Sequence, residues 1–188
     1  MEKEALKNIF NFIEKLDGTK IPFLWKITNG SPLTKEDLIV NDDLDLSNFK
    51  ITSLPEGLKV SGNLNLDYSK ITSLPEDLEV GGELSLEHSN IKSLPELLKV
   101  GGDLDLYGCE KLESLPEGLK VNGTLYLNHC YKLQSLPKGL KVDDGINITY
   151  TKLTKYTENQ LKKMVKPGYI KGIILNEDPD WDETEFAI

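Results

Sequence analysis

The repeated part of this chain opens with Leu44-Asp-Leu-Ser-Asn-Phe-Lys-Ile51-Thr-Ser-Leu54-Pro55-Glu-Gly-Leu58-Lys-Val60-Ser-Gly62-Asn63, and four similar copies follow. The Leu-Pro pair returns after 20, 20, 21 and 21 residues. A fixed period of this size is typical of a solenoid, in which each unit buries its apolar face only against its neighbours. The five pairs are Leu54-Pro55, Leu74-Pro75, Leu94-Pro95, Leu115-Pro116 and Leu136-Pro137.

Each copy predicts a short strand at Leu-x-Leu, because side chains alternate between the two faces of a strand and both leucines then point inward. Counting Ile146 and Ile148, the chain has six such pairs, which predict a parallel sheet of about six short strands. The glycine before each strand reverses the chain, and we expect a positive φ there. These glycines are Gly62, Gly82, Gly102 and Gly123.

The two ends of the chain depart from the repeat and predict caps around residues 44–156. Residues 1–43 carry an amphipathic helix, an apolar segment at 21–27, and Thr34 with Asp37 as a weak capping box before a short helix. Residues 157–175 predict a helix and then a strand, and residues 176–188 form an acidic tail. The predicted class is an α/β solenoid with a helical N-terminal cap and an α+β C-terminal cap.

The composition narrows the classes of partner. Of 188 residues, 31 are acidic and 22 basic, which gives a formal net charge of −9. An acidic surface argues against nucleic acid and against anionic membranes, which are bound by clustered Lys and Arg. With no apolar leader or membrane-spanning run, we expect a cytoplasmic protein, and export by a route that reads a different signal stays open.

The pattern Leu-x-Leu-x-x-(Ser/Cys)-x-(x)-(Ile/Leu)-x-Ser-Leu-Pro resembles the leucine-rich repeat, in the short Leu-Pro form of bacterial effectors and of uncharacterised bacterial and phage-encoded proteins. The resemblance implies a curved array whose concave strand face binds other proteins. Two departures stand out. An extra Lys-Val-x-Gly segment in each unit suggests a second row of strands. The usual ladder asparagine is replaced by Phe49, Ser69, Ser89, Cys109 and Cys130.

The strand face is the leading candidate site, because its outward positions carry acids toward the N-terminal end and tyrosines toward the C-terminal end. Like charges one rung apart repel each other, which favours a role in docking a basic protein, although a solvated polar face remains the alternative. The predicted partner-binding residues are Asp43, Asp45, Asp67, Glu83, Glu87, Asp103, Asp105, Tyr107, Tyr126 and Asn128.

Two other pairs recur at equivalent positions. Cys109 and Cys130 fit a buried thiol column better than a disulfide or a nucleophile. His88 and His129 lie two repeats apart, with a gap at Gly108, and leave open a small-ligand or metal binder, or a hydrolase, that also uses Tyr107. Neither pair matches a defined catalytic motif, so we expect no enzyme activity and no cofactor.

We therefore predict a non-catalytic protein–protein interaction module, with inhibitor, adaptor and effector roles all open. The main alternative is the ligand binder or hydrolase centred on His88, Tyr107 and His129. A structural subunit that assembles through its caps is a third hypothesis, and we expect a monomer.

Overall fold

The computed structural model describes Phe23, Lys26, Ile27 and residues 30–176. The chain divides into two compact units, Met1–Ile39 and Val40–Ile188. The predicted N-terminal helix, most of the apolar segment and the acidic tail after residue 176 lie outside the described residues.

Residues 39–175 form very short strands, each two residues long. In chain order the strands are β1 (Ile39–Val40), β2 (Leu44–Asp45), β3 (Lys59–Val60), β4 (Leu64–Asn65), β5 (Glu79–Val80), β6 (Leu84–Ser85), β7 (Lys99–Val100), β8 (Leu104–Asp105), β9 (Lys120–Val121), β10 (Leu125–Tyr126), β11 (Lys141–Val142), β12 (Ile146–Asn147), β13 (Tyr169–Ile170) and β14 (Ile174–Leu175).

The strands form two parallel sheets that alternate along the chain. The odd-numbered strands form the Lys-Val sheet and the even-numbered strands form the Leu-x-Leu sheet, each in simple sequential order. Residues one period apart are register partners, as in Leu64 beside Leu84. The chain is therefore a parallel β-solenoid of about 5 turns with a period of about 20 residues.

This architecture corrects the predicted class, because the described chain is mostly β rather than α/β. The second row of strands suggested by Lys-Val-x-Gly is present as the Lys-Val sheet. It takes the return side of each turn, where a helix would make the fold α/β. A period of 20 residues that also holds a Leu-Pro turn leaves too little chain for a helix of two or three turns. The Leu-x-Leu sheet has seven strands rather than about six, since β14 joins it.

The core consists of the aliphatic side chains that both sheets turn inward. Leu64 and Leu66 are fully buried, and Val80 on the other sheet is almost fully buried. Backbone bonds join successive turns: the N–H of Leu64 donates to the carbonyl of Glu83 at 2.8 Å. Each turn thus covers the apolar face of the one before it, as the repeat predicts.

The glycines before the strands have a different role from the one predicted. None of them has a positive φ; that conformation occurs instead at Gly57, Gly118 and Gly139, after the Leu-Pro turns. An added Cβ atom would overlap a side-chain oxygen of the preceding turn at Gly62, Gly82 and Gly123, and at Gly102 it would lie in tight contact, 3.0 Å from the carbonyl carbon of Gly82. Close stacking of the turns, rather than backbone handedness, therefore requires these glycines.

The C-terminal part contains a helix, α1 (Glu158–Met164). Thr157 and Gln160 form the predicted capping box in both directions. The strand predicted for 169–175 is instead two strands, β13 and β14, which continue the two sheets. Residues 169–175 thus add a further turn to the solenoid.

The described part of the first unit is held by a buried ion pair between Lys26 and Asp37, with an Nζ–Oδ2 distance of 2.9 Å. Thr34 and Asp37 exchange backbone-to-side-chain bonds of 2.7 and 3.3 Å, as a capping box does. The short helix expected after it is a turn at 35–38. Within the described ranges, no helix is both long and apolar enough to cross a membrane.

Candidate functional site

The strand face consists of three columns of outward positions on and beside the Leu-x-Leu sheet, because residues one period apart are register partners. The first column precedes each strand, the second is the outward residue of the strand, and the third follows it. These columns are Asp43, Asn63, Glu83, Asp103 and Thr124; Asp45, Asn65, Ser85, Asp105, Tyr126 and Asn147; and Ser47, Asp67, Glu87, Tyr107, Asn128 and Thr149.

In the first column, short side chains fasten one turn to the next. Oδ1 of Asp43 accepts from the N–H of Asn63 at 2.7 Å, and Oδ1 of Asn63 accepts from the N–H of Glu83 at 2.8 Å. Asp103 accepts from Thr124 at 2.7 Å in the same way. Asp43 and Asp103 therefore stabilise the fold, in addition to any role at the surface.

In the second column, the side chains close the end of the strand. Oδ1 of Asp45 accepts from the N–H of Ser47 at 2.9 Å, and Asp105 accepts from Tyr107 at 2.8 Å. The bond from Ser47 holds the pKa of Asp45 below its ordinary value of 3.8. Such bonds to the backbone two residues on are typical of Asp and Asn at turns, so these two acids also have a structural reason to be there.

Asp67 is the polar centre of the strand face. Its Oδ1 accepts from the hydroxyl of Ser85 at 2.5 Å and from the N–H of Glu87 at 2.8 Å. Ser85, which the alternation predicts to be outward and solvated, is only 8 % exposed. Its short side chain is directed to the Asp67 carboxylate rather than to solvent.

Asp105 is strongly perturbed by this environment. Partial burial, together with the charges of Glu87 and Asp67, raises its pKa to about 6, even though the Tyr107 N–H donates to it. A carboxylate loses hydration when it is buried, and nearby negative charges penalise it further. Near neutral pH Asp105 is therefore ionised at a cost to the folded state.

Glu83 shares this field: burial and the charges of Asp103, Asp105 and Asp67 raise its pKa. We call Asp67, Glu83, Glu87, Asp103 and Asp105 the acidic cluster. Among the residues that the structure describes, no lysine forms an ion pair with any of the five. Asp43 and Asp45 are not among the charges that act on Glu83 or Asp105. The predicted seven-acid face thus contains one coupled group of five.

A row of rings runs along the edge of the acidic cluster. The residue three positions after each outward strand residue has a left-handed backbone. Most of these positions carry a ring. In the turn where the position is Gly108, the ring of the preceding residue, Tyr107, lies between the neighbouring rings. We call Tyr68, His88, Tyr107, His129 and Tyr150 the ring row.

Successive rings of the row touch. The centroid distances are 5.1 Å from Tyr68 to His88, 5.0 Å from His88 to Tyr107 and 5.2 Å from Tyr107 to His129. Tyr150 stacks on His129 at 4.3 Å. A side branch is formed by Tyr131, whose hydroxyl lies 2.6 Å from Nδ1 of His129. The row therefore spans the central and C-terminal turns without a break.

This contact pattern changes the interpretation of the two histidines. The predicted gap between His88 and His129 is filled by the Tyr107 ring, and the His88 ring itself lies over Gly108, where a Cβ atom would overlap it. Among the described residues, no three His, Cys, Asp or Glu side chains are placed to hold a metal ion. The ligand-binder or hydrolase hypothesis stays a prediction.

Cys109 and Cys130 are free and fully buried, as the thiol-column prediction requires. Their thiols donate to the carbonyls of Leu86 and Leu106, each at 3.1 Å. Burial raises the pKa of Cys109 to about 11 and raises that of Cys130 as well. A thiol that stays protonated and inaccessible is a poor nucleophile, so their visible role is to bond the turns together.

The remaining two predicted residues lie at the C-terminal side of the acidic cluster. Tyr126 is the register partner of Asp105 and is partly buried. Asn128 follows Tyr107 in the third column. Its Oδ1 is buried and has no hydrogen-bond partner among the described residues. A buried acceptor without a donor is unusual, since most such atoms are bonded.

Sequence reasoning found Tyr107 and both histidines but missed Tyr68, Tyr131 and Tyr150 as part of the same feature. Tyr68, His88, Gly108, His129 and Tyr150 stand one period apart, so aligning that column of the repeats would have shown the row. The contact of Tyr131 with His129 follows from the longer turn there and has no signal in the repeat.

None of the protein families, curated proteins and solved structures that were compared with this chain matches it. The class that the coordinates define is a parallel β-solenoid with two sheets, an acidic cluster on one of them and a ring row beside it.

Proposed function

We propose that this protein is a non-catalytic binding module that docks another protein, one with a basic surface, on its strand face. The observation that carries the proposal is the acidic cluster: five carboxylates crowd together, the pKa of Asp105 is raised to about 6, and no lysine of the described residues neutralises them. A fold gains nothing from such repulsion, whereas a cationic partner relieves it.

Two acids of the cluster, Glu83 and Glu87, accept no hydrogen bond from the described backbone that would give them a role in the fold. Asp67, Asp103 and Asp105 accept backbone hydrogen bonds, but no described backbone N–H donates to the side chain of Glu83 or Glu87. Neither side chain is thus tied to the backbone, and the Glu87 carboxylate lies close enough to that of Asp105 to raise the pKa of Asp105. Whether the docked partner is inhibited, recruited or scaffolded is left open by this surface.

We also infer that the array belongs among the leucine-rich repeats of the short Leu-Pro type. Two features support this. The Leu-x-Leu strands pair in register, and one column, which runs from Phe49 to Thr151, stands where the family keeps asparagine. In that column Cys109, Cys130 and Thr151 donate to carbonyls of their own or the preceding turn. The two cysteines thereby join successive turns, and Thr151 closes its own turn.

Affinity capture with the wild-type chain and with Glu83→Gln/Glu87→Gln tests the proposed function. The double variant keeps both shapes and removes two charges, and we expect it to lose at least about ten-fold in affinity for a partner purified after capture. The matched control is Glu56→Gln/Glu76→Gln, which removes two exposed charges from the Leu-Pro turns and should bind like wild type. Equal binding by all three proteins would refute docking on the strand face.

A further inference from the structure

Four of the five residues of the ring row, all except Tyr107, have a left-handed backbone, a conformation that is costly for a bulky side chain. Asn48 and Gly108 stand in the same column with φ of 60° and 66°, and they are the residue types that adopt this conformation readily. Tyr68, His88 and His129 adopt φ of 56°, 51° and 63° instead. Bulky residues held in a left-handed backbone point to a function rather than to a need of the fold.

The ring row and the acidic cluster are interleaved along the chain. Tyr68 follows Asp67 directly, and His88 follows Glu87. Tyr107 belongs to both features, since its N–H donates to Asp105 and its ring lies between the two histidines. A ligand on this edge therefore meets flat rings and carboxylates within one rung of each other.

This edge is rich in acceptors. Besides the carboxylates it has the amide oxygen of Asn128, the residue after Tyr107 in the third column. That Oδ1 atom is buried and lacks a donor among the described residues. Two lysines close to the ring row in the sequence bond to polar side chains: Nζ of Lys111 lies 2.5 Å from Oδ1 of Asn90, and Nζ of Lys132 lies 3.3 Å from Oε1 of Glu113.

We propose that the ring row and the acidic cluster together form a site for arginine side chains of the docked protein. A guanidinium is planar, carries five donors and no acceptor, and stacks on aromatic faces while it donates to carboxylates. A lysine ammonium offers the same charge but is strongly hydrated and lacks the flat face. The inference rests on the proposed function and specifies which basic residue the partner presents.

The test compares labelled nona-arginine and nona-lysine peptides by fluorescence anisotropy against the full chain. We expect nona-arginine to bind about ten-fold more tightly than nona-lysine. Tyr107→Leu and, separately, Tyr68→Leu should reduce that preference to about two-fold or less and leave nona-lysine binding nearly unchanged. Tyr68 is 56 % exposed, so its variant keeps the test valid even if Tyr107→Leu fails to fold.

Tyr107→Phe is the conservative control and should keep the preference, because it retains the ring and the backbone N–H that donates to Asp105. Equal affinity for the two peptides, lost in Glu83→Gln/Glu87→Gln, would overturn the arginine site and leave the proposed docking function standing. Binding of neither peptide, or a preference that both Leu variants retain, would also overturn the arginine site. The capture experiment judges the docking function separately.

Discussion

Asp105 shows how a single side chain joins fold and function in this protein. Its carboxylate closes the end of β8 by accepting from Tyr107, and it also lies in the crowded field of Glu87 and Asp67. The first contact stabilises the turn and the second destabilises the charge. Because only the repulsion depends on ionisation of Asp105, varying the pH separates its effect on stability from that of the hydrogen bond.

Asp105→Asn should therefore stabilise the protein near neutral pH. The pKa of Asp105 rises from 3.8 to about 6 on folding, so the ionisation penalty is absent below pH 4 or so, grows as the pH rises, and is complete above pH 6 or so. Asparagine cannot ionise and keeps an acceptor for the Tyr107 N–H. After allowance for solvent screening, we expect a gain in unfolding free energy of about 1 kcal/mol at neutral pH, measured by urea denaturation.

Asp45→Asn is the matched control, because Asp45 stands in the same column but has a lowered pKa. An acid of this kind contributes stability above its ordinary pKa, and that contribution is lost as the pH falls through the folded value. Its variant should lose stability at neutral pH and match wild type in strong acid. A gain in both variants, or in neither, would contradict the assigned environments.

Gly108→Ala should be more damaging than Gly118→Ala. Both glycines have a positive φ, of 66° and 73°, so each alanine carries a backbone cost of about 1–2 kcal/mol. At Gly118 nothing lies within 4 Å of the added Cβ atom, whereas at Gly108 it would overlap the His88 ring. Thermal unfolding of both variants isolates the overlap, and equal losses would show that the His88 ring moves aside freely.

The columns of the solenoid are its true structural elements, because each strand is only two residues long. A column is continuous where one side chain bonds to the preceding turn, as Cys109 does to Leu86 and Cys130 to Leu106. At the N-terminal end of this same column Phe49 is 40 % exposed, while Ser69 and Ser89, one and two periods on, are buried.

The inferred relation to leucine-rich repeats is testable at Cys130. Cys130→Val resembles the thiol in size but leaves the buried carbonyl of Leu106 without its donor, at a cost of about 1–3 kcal/mol. Cys130→Asn restores a donor of the kind the family uses and should be the more stable of the two. Denaturant midpoints of the two variants decide the matter, and a less stable Asn variant would contradict the relation.

The whole molecule carries opposite charges on its two sheets. The Leu-x-Leu sheet bears the acidic cluster, while the Lys-Val sheet exposes Lys99, Lys120 and Lys141 on successive strands. Lys120 and Lys141 are register partners, so like charges adjoin on that side too. The acidic cluster and the lysine column are each destabilised by repulsion between like charges, and dissolved ions screen that repulsion.

Raising the ionic strength from about 0.01 M to about 0.15 M should therefore stabilise the wild-type protein, since the Debye length falls from about 30 Å to about 8 Å. We expect the Tm to rise by about 2–4 °C, which corresponds to about 1 kcal/mol for a chain of this size. Glu83→Gln/Glu87→Gln should show a smaller rise, because it has less repulsion to screen. A Tm that falls with salt would mean that ion pairs such as Lys99 with Glu79 outweigh the repulsion.

The sequence was enough to predict the period, the inward leucines and the buried thiols, because these follow from side-chain alternation within one turn and its repetition. It was also enough to name the residues of the strand face. It could not show which five acids form one field, that Ser85 is buried and bonds to Asp67, or that Tyr107 bridges two histidines. These features depend on contacts between residues about 20 positions apart, on burial, and on the direction of each side chain. Only the stacked turns bring those groups together, and the pKa of Asp105 and the ring row both follow from that stacking.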